Sequence, residues 1–121
     1  MSDEFIKVAR QEIQTELDSL EGIITHCNND EQVFQSSKEI EAHLHKIKGL
    51  APMMDQEHVG QIAKTSDAVM KHIIEHGTLA DSYKFIVESI EGMRSLFDGQ
   101  SFFVEDFMKK AHAKFTQISN W

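Results

Sequence analysis

The sequence predicts an all-α protein, an antiparallel four-helix bundle with an additional C-terminal helix. Three observations carry this. One proline and six glycines in 121 residues leave few enforced turns. Between them the apolar residues recur at three- and four-residue steps, the period of an amphipathic helix. A composition of 40% hydrophobic and 26% charged residues belongs to a chain with a packed core, not to a disordered one. The length suits one domain over residues 1–121, which buries roughly two-thirds of its unfolded surface without disulfide support.

The first helix is expected from about Asp3 to His26, with Phe5, Ala9, Ile13, Leu17, Leu20 and Ile24 on one stripe. Cys27-Asn28-Asn29-Asp30 breaks it, and Asn29 or Asp30 can cap a second helix whose seam is Phe34, Ser37, Ile40, Leu44, Ile47 and Ala51. Pro52 ends or kinks that helix. Asp55 is placed to cap a third, with the stripe Val59, Ile62, Ser66, Val69 and Ile73 running to a stop at Gly77. Thr78 and Asp81 suit the start of a fourth, carrying Tyr83, Ile86, Ile90, Met93 and Phe97 to Asp98-Gly99. The bundle therefore covers about 3–98. Ser101 opens the extra helix, about 101–119, with Phe103, Phe107, Ala111, Phe115 and Ile118 along one side, and short connections make successive helices antiparallel neighbours.

Charge and cysteine content narrow the function. Twenty acidic against twelve basic side chains give a formal net charge of -8, without the lysine and arginine cluster that nucleic acid or an anionic membrane requires. No apolar run approaches the ~20 residues that cross a bilayer, so direct membrane insertion is not expected. The single Cys27 cannot form an intramolecular disulfide, and Met1 to Phe5 lack the pattern of a secretory signal, so the expected compartment is the cytoplasm.

Among seven histidines, His45 has the most informative neighbours. At ~100° per residue it lies roughly 125° from the centre of the second helix's seam, so its ring is expected to meet solvent. Lys48 lies one turn on along the same flank, and Gly49 removes a side chain beside it. A glycine inside a helix costs about 1 kcal/mol against alanine, and clearance beside His45 is one reason to keep it. An exposed imidazole is a nucleophile near the ordinary histidine pKa of ~6.5, and a phosphoryl group on it adds about two negative charges that Lys48 can meet. The plain reading is a surface histidine beside an unrelated lysine and glycine. His72 and His76, four apart, could hold a metal from one face, or simply interact with the carbonyls of a helix C-terminus. His43 reads as a surface residue and Cys27 as a structural thiol.

The pattern His45-x-Ile47-Lys48-Gly49-x-Ala51 resembles the H-x-[apolar]-K-G-x-[small] motif of histidine phosphotransfer (HPt) domains. The chain is most similar to the N-terminal phosphotransfer domain of chemotaxis-type histidine kinases. The likeness spans about Phe5 to Phe97 and includes Glu12, Glu16 and Leu17 on the first helix. The resemblance implies a four-helix bundle, often with an extra C-terminal helix. It also implies that His45 takes a phosphoryl group from a histidine kinase or a phosphorylated receiver and passes it to an aspartate of a response-regulator receiver domain.

Mg²⁺ would then belong to the receiver, and no cofactor to this chain. In kinases of this kind a glutamate 22 residues after the histidine holds its proximal ring nitrogen, and Asp67 occupies that spacing. This shorter carboxylate reaches the ring directly, falls short, or uses a water. Lys64, one turn before Asp67, adds positive potential or is a plain solvated lysine. Leu50, Pro52 and Asp55 depart from the family pattern, which points to a different end of the second helix. No Walker loop or protein-kinase signature is present, so the chain is not expected to bind ATP or phosphorylate itself. The alternative from another class is an adaptor bundle that binds a receiver or kinase without transferring phosphate.

Overall fold

Six helices follow one another in the computed structural model, which describes residues 2–121: α1 (Asp3–Thr25), α2 (Asp30–Gln35), α3 (Ser37–Leu50), α4 (Glu57–His76), α5 (Ser82–Phe97) and α6 (Val104–Lys114). Helix α3 packs on α1 and α4, α4 on α5, and α5 on α1, which closes the expected four-helix ring, with α6 lying against α4. Neighbours run antiparallel: Pro52, just past the end of α3, approaches Gly60 early in α4, and Arg10 and Glu21 of α1 meet Phe97 and Arg94 of α5 in reverse order. No helix among the described residues is long and apolar enough to cross a membrane.

The seams bury largely as their period requires. Ala9, Ile13, Leu17 and Leu20 of α1, Ile40, Leu44 and Ile47 of α3, and Val59, Ile62, Val69 and Ile73 of α4 enter one core with Ile86, Ile90, Met93 and Phe97 of α5. Phe5 and Phe34 lie outside it, exposed at the ends of their stripes. Across the α1–α5 seam, Arg94 grips Glu21 through two nitrogens (2.7 and 3.1 Å) and Asp18 through one (2.6 Å). This forked charge-assisted arrangement is stronger than a single lysine contact, and it raises the guanidinium pKa further, led by the hydrogen bond to Glu21.

The expected second helix is two helices. The Asn29 side chain caps α2 by accepting from the Gln32 N–H at 2.9 Å, but Ser36 leaves helical geometry (φ -101, ψ 12) and α3 starts afresh. The break has a tertiary cause. The Asp30 carboxylate accepts from the N–H groups of Asp81 (2.9 Å) and Tyr83 (2.8 Å) at the start of α5, while α3 runs between α1 and α4. A straight helix cannot serve both directions. Asp81 itself sits at φ 70 and makes no side-chain cap, so α5 is capped by a residue distant in sequence.

Pro52 ends α3 as expected, and the chain tightens into a 3₁₀ turn over Ala51–Met54. Asp55 then takes a left-handed conformation (φ 58, ψ 26) and caps nothing; Gln56 occupies the N-cap position of α4, without a side-chain bond. Gly60 lets this turn close, because a Cβ there would lie 3.3 Å from the Pro52 ring.

The C-terminal helix is shorter than the 101–119 of its apolar pattern. Residues 101–103 are non-helical, and Phe103, expected on the buried side, is 85% exposed. Phe102 turns inward instead, onto the bare backbone of Gly92. Phe107 stacks on Phe85 (centroids 5.2 Å) and Phe115 meets the same ring edge-on (5.2 Å), which pins both ends of α6. Beyond Lys114 a turn returns the chain and buries Ile118.

A Cβ at Gly92 would lie 2.7 Å from the Phe102 ring, whereas one at Gly22 meets nothing within 4 Å. Gly92→Ala is expected to lower stability by about 1–2 kcal/mol, since overpacking outweighs the gain in helix propensity. Gly22→Ala should raise it by about 0.5–1 kcal/mol. Urea unfolding midpoints of both variants check the pair.

Candidate functional site

His45 stands on the solvent flank of α3 with 61% of its side chain exposed, as its helical angle requires. Its Nδ1 faces two carboxylates: Asp67 Oδ2 of α4 at 3.7 Å and Glu41 Oε2, one turn back on α3, at 3.8 Å. Asp67 is brought to the histidine but does not hydrogen-bond it, since an N–H···O bond spans about 2.7–3.2 Å. Its polar contacts go elsewhere. Lys48 Nζ donates to Asp67 Oδ2 at 3.1 Å, and Lys71 Nζ pairs with the same oxygen at 3.2 Å. Gly49 lies exposed beside this group, and a Cβ built on it would touch nothing within 4 Å.

Asp67 is 1% exposed, yet it is charged. Burial acts to raise its pKa, but hydrogen bonds from Glu41, Lys48 and Lys71, with the Lys71 charge, outweigh burial and hold the carboxyl below its ordinary range. Glu41 moves the other way. The hydrogen bond it shares with Asp67, then burial and the Asp67 charge, lift its carboxyl above the ordinary 4.5. Lys71 is held protonated to higher pH, first by its hydrogen bond to Asp67. Of two neighbouring carboxyls, one is thus shifted toward its charged form and the other toward its protonated form.

Lys64 does not join the group; it is exposed and has no ion-pair partner among the described residues. The reason is directional. Side chains on a helix lean toward its N-terminus, so Lys71, four residues after Asp67, folds back over the carboxylate while Lys64 leans away from it. The same lean carries His45 over Glu41. Glu41 and Lys71 were readable from i,i+4 spacing combined with this lean, although spacing alone does not separate Lys71 from Lys64.

His43 is not a free surface residue. Its Nδ1 pairs with Glu16 of α1, a glutamate buried in the α1–α3 seam that also meets Lys46 at 3.4 Å. Cys27 is buried, its thiol directed at the Ile23 carbonyl and pushed up in pKa by burial, which fits a structural thiol. The His72 and His76 rings lie 4.4 Å apart, and burial, then the His76 charge, lowers the His72 pKa. Among the described residues no third ligand joins them. Among the described residues, the group of three metal-ligating side chains within mutual reach is Glu41, His45 and Asp67.

No family model, curated protein or solved structure matches this chain. The chemistry of the site follows from its own residues: an accessible imidazole, a buried anion that attracts positive charge to its inner nitrogen, and two ammonium groups nearby.

The opposed shifts make stability depend on pH in a defined sense. Because Glu41 has a raised folded-state pKa, its stabilising contribution is full below its unfolded value and is lost as pH rises through the folded one. Asp67 contributes the reverse, with stabilisation present above its ordinary 3.8 and lost as pH falls through its lowered value. Glu41→Gln, which keeps a hydrogen-bond donor for Asp67, should therefore gain stability relative to the wild type as pH rises from about 4 to 7. Melting temperatures of the two proteins across that window test this, and a constant difference would contradict it.

Proposed function

We propose that this chain is a phosphocarrier of the histidine phosphotransfer kind, acting in the cytoplasm between a histidine kinase or phosphorylated receiver and the receiver domain of a response regulator. The observation that carries the reading is the surrounding of His45: a solvent-facing imidazole whose inner nitrogen points at two carboxylates while Lys48 and Lys71 stand over the nearer one. The His45-Lys48-Gly49 pattern supports it from the sequence side.

The chemistry is a group transfer. With the proton on Nδ1, the Nε2 lone pair attacks the phosphorus, the N–P bond forms, and the donor's bond to phosphorus breaks with its electrons leaving on the donor. The imidazole gains positive charge in this step, and the Asp67 carboxylate beside Nδ1 stabilises it. The arriving group brings about two negative charges, toward which the ammonium groups of Lys48 and Lys71 can turn. Mg²⁺ on the receiver would neutralise the group in transit, and no cofactor is assigned to this chain. Gly49 has no packing reason inside the molecule, so its cost of about 1 kcal/mol is accounted for by the approach of a partner's backbone.

One observation favours the second reading, an adaptor that docks on a receiver or kinase without transfer. The 3.7 Å between Nδ1 and Asp67 leaves the ring without a direct orienting hydrogen bond, which slows a reaction that depends on alignment.

Incubation with phosphoramidate, a small P–N phosphodonor, should place one acid-labile, alkali-stable phosphate on the wild type and none on His45→Gln. Labelling that survives the substitution refutes His45 as the acceptor. Absence of labelling and of transfer from a phosphorylated receiver, with receiver binding intact in His45→Ala, selects the adaptor.

A further inference from the structure

Glu41, His45 and Asp67 present one ring nitrogen and two carboxylate oxygens within 4.8 Å of one another. The separations of 3.7 and 3.8 Å from Nδ1 are too long for hydrogen bonds but close to the spacing of ligands around one small cation. Bonds of about 2.0–2.2 Å at a tetrahedral metal place its ligand atoms about 3.3–3.6 Å apart, so the two distances from the imidazole lie within a few tenths of an ångström of that spacing. Asp67 presents Oδ2 to the imidazole from a side chain that is only 1% exposed.

We propose that Glu41, His45 and Asp67 form a binding site for a divalent transition cation of the zinc class, with the fourth position open to water. An imidazole with two carboxylates suits such a borderline ion, as do three protein ligands and an open position. His45, being largely exposed, gives the ion a path from solvent. Lys48 and Lys71 compete for the same carboxylate, but their side chains are 33% and 53% exposed and can swing outward when the cation arrives. Metal and ammonium are thus alternative counter-charges for Asp67. The inference stands apart from phosphotransfer. If both hold, a metal on Nδ1 withdraws electron density from the ring and makes Nε2 the poorer nucleophile.

Calorimetric titration of the full chain with zinc chloride at neutral pH tests the site without any phosphodonor, so its outcome is independent of the phosphotransfer result. One equivalent should bind. His45→Gln and Glu41→Gln alter partly exposed side chains and should each weaken binding at least ~10-fold with melting behaviour retained, as loss of a ligand does. Lys71→Gln removes one of the two competing ammonium groups and should tighten it several-fold, while the His72→Ala, His76→Ala double variant should bind like the wild type. The absence of wild-type binding overturns the proposal. So does an affinity that is indifferent to His45→Gln or lost in the double variant.

Discussion

A buried carboxylate organises the surface on which His45 stands. Asp67 sits in the α3–α4 seam with almost no solvent contact, and an uncompensated charge there would cost several kcal/mol. Compensation comes from both helices: Lys48 from α3, Lys71 from α4, and the Glu41 carboxyl sharing its hydrogen bond. Each of these groups is held near His45 because it answers Asp67. The electrostatic setting of the imidazole is thus a consequence of burying one anion beneath it, and a change in how Asp67 is satisfied is felt at the ring.

That carboxylate can be buried because α3 and α4 approach closely and in fixed register. Pro52 ends α3, the 3₁₀ turn over Ala51–Met54 reverses the chain, and Gly60 accepts the proline ring against the α4 backbone. These contacts set which residues of α4 face the end of α3. Arg94 clamps the α1–α5 seam on the far side of the ring, and Asp30 holds the start of α5. These contacts hold the helices around the site and leave the flank bearing Gly49 bare.

Two histidine–carboxylate pairs lie two residues apart on α3, and they differ in the way that decides their chemistry. His43 is drawn into the α1–α3 seam by Glu16, so its pairing contributes to packing. His45 projects outward, with its carboxylates behind it and solvent before it. A step of two residues turns a helix through about 200°, which is enough to separate a structural histidine from one that can meet another molecule.

The amino-acid sequence by itself determined the class of fold and the outward placement of His45. Period-3.6 apolar stripes dictate helices whatever they pack against, and the angle of His45 from its own seam places it in solvent without reference to any other helix. The short connections similarly determined the antiparallel order. Only the tertiary structure decided the rest, because the rest depends on groups distant in sequence. The break at Ser36 exists because Asp30 reaches α5; Phe103 is exposed because Phe102 takes the space over Gly92; Asp55 caps nothing because the proline turn drives it left-handed. At the site, Asp67, expected from the resemblance alone, lies near His45, but the carboxylate's hydrogen bonds went to lysines. Lys71 replaced Lys64 because side chains lean toward the N-terminus of a helix, and a linear spacing rule carries no direction.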